Sequence, residues 1–89
     1  MHLAERIARR FLALKHVPKE TKKNKVKRLS KLIKDQTGLS NRMADSIADA
    51  IVRERNLESL TLQKGLPIED GEIVGPKGSI SVEMVRSNA

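Results

Sequence analysis

A chain of 89 residues is one domain's worth of sequence and too short to hold a second independent core. With 38% hydrophobic and 33% charged residues it is composed as a folding domain and not as a disordered tail, but one Phe and no Trp or Tyr leave an aliphatic, thin core that a homodimer would help to stabilise. No cysteine is present, which excludes disulfides and thiolate metal sites and fits a reducing, cytoplasmic compartment.

The net charge is +7, and its distribution is lopsided. Residues 1–34 carry 12 Lys or Arg against Glu5 and Glu20, a net +10, whereas the remainder has 6 basic and 9 acidic residues, a net −3. Clustered cations attract polyanions and gain affinity for a phosphate backbone by releasing its condensed counterions. Scattered lysines serve solubility; clustering of this kind favours a nucleic-acid partner.

Leu3, Ile7, Phe11 and Leu14 recur at three- and four-residue intervals, which predicts a helix with one apolar stripe, ending near His16 ahead of Pro18. Arg6, Arg9 and Arg10 on this pattern also suit an organelle transit segment, but the pattern is that of an ordinary core-facing helix. The start lacks the unbroken apolar stretch of a secretory signal, and no run approaches the roughly 18 residues of a membrane span. After a connector over 16–21, Thr21 is placed to cap a helix reaching about Gln36. Its apolar positions, Val26, Leu29, Leu32 and Ile33, form a narrow stripe. Lys23, Lys27, Lys31 and Lys34 fall along the opposing side, a row that repels itself unless it faces phosphates.

Thr37-Gly38-Leu39-Ser40 then reads as a tight helix-to-helix turn, with Gly38 free to adopt a left-handed conformation and Ser40 placed to cap the next helix. That helix, about Asn41 to Asn56, is the most apolar, with Met43, Ala44, Ile47, Ala48, Ile51 and Val52 on a broad face.

Beyond it the chain turns rich in Gly and Pro. Alternation around Leu60 and Leu62, and again around Ile80, Val82 and Met84, predicts two half-buried strands, with a third short strand at Glu72-Ile73-Val74. Lys64-Gly65-Leu66-Pro67 and Gly75-Pro76-Lys77-Gly78 supply turn chemistry between them. The expected fold is therefore α+β: a single domain over 1–89, with a basic helical part over 1–56, a β-hairpin or small antiparallel sheet over 57–86 and a tail over 87–89.

About Arg28 to Ile47 resembles the helix-turn-helix of DNA-binding proteins. Gly38 takes the turn position, with Ile33 before it and Leu39, Ala44 and Ile47 after it at the family's buried positions; Lys34 stands where a small residue is usual. Three helices followed by a hairpin is also similar to the order of a winged helix without its first strand. The resemblance implies that the helix after Gly38 enters the major groove, where Ser40, Asn41, Arg42 and Ser46 would face base edges, Arg42 suiting guanine and Asn41 adenine. Lys22, Lys23, Lys27, Arg28, Lys31 and Lys34, with Arg9 and Arg10, would hold the backbone. A wing contact would fall to Lys64 or Lys77. Asp45 and Asp49 on the same exposed surface oppose phosphates, so structured RNA gripped by the lysine helix, and an acidic protein docked on it, stay open beside duplex DNA.

Catalytic chemistry is not expected. His2 and His16 are two ordinary surface histidines, and Glu69, Asp70 and Glu72 match no calcium-loop spacing. No nucleophile-base pair or phosphate-cradling Gly-Lys-Ser/Thr motif occurs, and no cofactor or metal is implied.

Overall fold

The computed structural model describes residues 20–89. The expected helix over 3–16, with Arg9 and Arg10, lies outside the described residues. Helix α1 (Lys22–Thr37) starts where Thr21 accepts a hydrogen bond from the Asn24 amide at 3.1 Å and stops at Gly38, whose φ of 74° lets its own amide return to the Lys34 carbonyl. Three residues later α2 (Asn41–Val52) begins, capped by the Ser40 hydroxyl, which accepts from the Met43 amide. The turn is stiffened from inside by Thr37. Its buried hydroxyl donates to the Ile33 carbonyl at 2.6 Å and accepts from the Leu39 amide at 3.3 Å.

Helix α2 ends four residues before the expected Asn56. Glu54 adopts a φ of 53°, Arg55 donates to the Ala50 carbonyl and Glu54 to that of Ile51, closing a Schellman-type cap without glycine. Residues 57–64 are not a strand. They form α3 (Leu57–Lys64), capped by Asn56 accepting from the Ser59 amide and ended by Gly65 at φ 65°. Glu58 in the first turn and Lys64 in the last both complement the helix dipole. The alternation of Leu60 and Leu62 misleads because Leu57 and Leu60, three apart, are the pair that packs on the core.

The sheet has three antiparallel strands in the order β1 (Ile68–Glu69), β2 (Glu72–Gly75), β3 (Gly78–Ser81). Strand β1 was not expected. It pairs with β2 across the two-residue turn Asp70-Gly71, both at positive φ as a type I′ hairpin requires. Ile73 stands opposite both Ile68 and Ile80, so one isoleucine row crosses the sheet and meets the helices. The second correction is at the C-terminal side: β3 stops at Ser81, whose hydroxyl caps α4 (Val82–Ser87), so Val82 and Met84 are helical. The part over 57–86 thus begins and ends in helix. The expected tail over 87–89 is not free either, because the Asn88 carbonyl accepts a hydrogen bond from the Arg28 guanidinium.

One core joins these layers. Leu29 and Ile33 of α1, Ile47 and Ile51 of α2, Ile73 of β2 and Val85 of α4 belong to a single buried cluster. Helices α1 and α2 form its main interface, made close by Ala44 and Ala48 and by Ser30, which is buried and donates to Asp45 across the helix pair. The architecture is α+β, helices followed by a small antiparallel sheet, as the composition of its turns implied. No helix among the described residues is long and apolar enough to cross a membrane.

Candidate nucleic-acid interface

The lysine row of α1 follows from burying the stripe opposite to it. With Leu29 and Ile33 sealed in the core, Lys22, Lys23, Lys27, Lys31 and Lys34 are all exposed. Among the described residues, none of the five lies within ion-pair distance of a carboxylate, although Asp35 is in the same helix. Five like charges over three and a half turns repel one another, and no ion pair among the described residues relieves them. Lys34, in the last turn, is favourably placed against the carbonyl end of the helix dipole.

Arg28 is the exception on this helix. Its guanidinium forms a two-pronged pair with Glu20, at 2.8 and 3.0 Å, and also reaches the Asn88 carbonyl. The hydrogen bond from Arg28 holds the Glu20 carboxyl below its ordinary value and raises the guanidinium in return. Arg28 therefore acts as a tie between the start of α1 and the end of α4, and its donors are engaged within the chain.

Of the residues expected at base edges, Ser40, Asn41 and Arg42 are exposed at the start of α2 and Ser46 is exposed at its middle, although the Ser40 hydroxyl is already used as the helix cap. Both aspartates of this helix have partners within the fold. Asp45 accepts from the neutral Ser30 hydroxyl and keeps its charge, whereas Asp49 is paired with Arg53 at 2.8 Å, which offsets part of the expected repulsion toward phosphate. Ile33, Ala44 and Ile47 are fully buried and Leu39 is partly so. The small residue that lets the helices approach is Ser30, one turn before the Lys34 position where it was sought.

Lys64 and Lys77 do not share a wing. The tip between β2 and β3 folds back onto the α1–α2 turn: the Lys77 amide donates to the Thr37 carbonyl at 2.9 Å, and the Lys77 side-chain stem lies directly over Gly38. Lys77 is exposed beside the α1–α2 turn. Lys64, carried by α3, instead lines a cleft with Ser40, Arg42, Met43, Ser46 and Leu66. Sequence reasoning missed that neighbourhood. The Asn56 cap and Gly65 stop were the signals that would have turned Leu57–Lys64 into a helix and moved Lys64 toward Arg42.

No family model, curated protein or solved structure matches the chain.

Proposed function

We propose that this chain is a small non-enzymatic nucleic-acid-binding protein, a DNA-binding transcriptional regulator or accessory factor located in the cytoplasm. The lysine face of α1 holds backbone phosphates, and the start of α2 presents Asn41, Arg42 and Ser46 to base edges. One observation carries this reading: five exposed lysines, with no carboxylate within ion-pair distance among the described residues, lie on the helix that leads into a helix-turn-helix-like corner. The cleft between α2 and α3 supports it, because Lys64 and Arg42 both line it. A duplex suits this surface better than single strands, because stacking platforms need aromatic side chains and the sequence has only Phe11.

Lys27→Glu with Lys31→Glu tests the assignment. Both side chains are exposed, so circular dichroism should be unchanged while binding to duplex DNA is lost. Undiminished binding by a folded double variant would remove α1 from the interface.

A further inference from the structure

Helices α3 and α4 leave a groove between them. Its apolar lining is Leu57, Leu62, Ile68 and Val82. Leu62 is 88% exposed, and α3 contributes no fully buried residue, so a leucine faces water beside a partly open aliphatic floor. Such a surface gains free energy when covered by another apolar face. The rim adds chemical direction: Glu58, Asp70 and Glu83 stand against the single cation Arg86. An occupant that satisfies both features is apolar along one side and basic along the other.

The chain contains a stretch of that description. Leu3, Ile7, Phe11 and Leu14 repeat at helical spacing, and Arg6, Arg9, Arg10 and Lys15 outnumber Glu5 around them. The described residues also begin near the α4 end of the groove. Arg86 lines both this groove and a depression beside Lys25, and Arg28 bonds the Asn88 carbonyl, so the first turns of α1 lie against the end of α4. Residues 15–19 separate Leu14 from Glu20, which Arg28 holds beside the end of α4, a link of five residues that spans up to about 17 Å when extended.

We propose that the acid-rimmed groove between α3 and α4 is a binding site for a basic amphipathic segment, and that its occupant is residues 3–14 of the same chain. The Leu3-Ile7-Phe11-Leu14 stripe covers Leu57, Leu62, Ile68 and Val82, while the arginines meet Glu58, Asp70 and Glu83. This assignment is independent of what the lysine face binds. Because the chain has no cysteine, Ala13→Cys provides a unique attachment point, off the stripe, for a nitroxide on the full-length protein. Methyl NMR should then show broadening of Leu57, Leu62, Ile68 and Val82, unchanged on dilution. No broadening should appear when spin-labelled chains are mixed with isotope-labelled, spin-free ones. Leu62→Glu should abolish the broadening with the α1 and α2 resonances in place, and Leu62→Met should keep it. Unbroadened groove methyls in the spin-labelled chain would overturn the proposal. Broadening seen only in the mixed sample would overturn it too, assigning the groove to a second copy.

Discussion

A methyl group at Gly75 would have no room: its carbon would lie 2.3 Å from the Thr37 carbonyl oxygen and 2.8 Å from the Thr37 Cβ. Gly75 is therefore needed for the close approach of the hairpin to α1. Gly75→Ala should lower stability by about 2–3 kcal/mol in urea unfolding, through displacement of the hairpin from the helix. Gly71→Ala is the contrast, with open space around it but a φ of 76°, and should cost only about 1 kcal/mol. Glu54 is the opposite case, an L-residue in left-handed conformation where most such caps use glycine. Glu54→Gly should raise stability by roughly 0.5–1 kcal/mol in the same assay. At this scale the sequence was readable around the α1–α2 turn. Thr21, Gly38 and Ser40 cap as their types and positions indicate, whereas Gly75 owes its place to a contact with Thr37, thirty-eight positions away, that no local pattern encodes.

Among the elements, α1 and α2 were legible because each has a capped start and a repeating apolar stripe. Helix α3 was not, because it is short and buries no residue fully, so its periodicity is faint and the Leu60/Leu62 alternation stood out instead. Strand β1 has only two residues, yet Asp70-Gly71 was a strong hairpin signal that the acidic character of the segment obscured. The joint between α1 and α4 makes a pH prediction. Glu20 is held below its ordinary value by Arg28, so its contribution to stability is complete above the usual glutamate range and is lost as pH falls through the lowered value. The difference in urea midpoint between Glu20→Gln and the parent should thus be constant from pH 6 to 8 and shrink in acid. A difference that instead grew as pH fell would contradict the pairing. At the start of α2, Arg42→Ala should weaken binding to a preferred duplex site by about 1–3 kcal/mol and flatten sequence preference, as judged by competition between matched and scrambled sites.

For the molecule as a whole, the electrical asymmetry and the α+β order were both visible in the sequence, because composition and turn residues do not depend on which elements meet. Tertiary neighbourhoods were not visible. Lys64 stands by Arg42, Lys77 lies over Gly38 and Arg28 is tied to Glu20 and Asn88 only because the chain folds back on itself. The central claim concerns the exposed lysines of α1, and it is tested most directly by titrating the intact protein against matched duplex DNA, duplex RNA and single strands at two salt concentrations. Four to five phosphate contacts imply a log–log salt slope of roughly −4 for duplex DNA, with duplex DNA the tightest of the forms. Tighter binding to duplex RNA would move the interface to backbone-and-shape recognition of RNA. No binding to any form at low salt would contradict the account and leave the lysine face as a docking surface for an acidic protein.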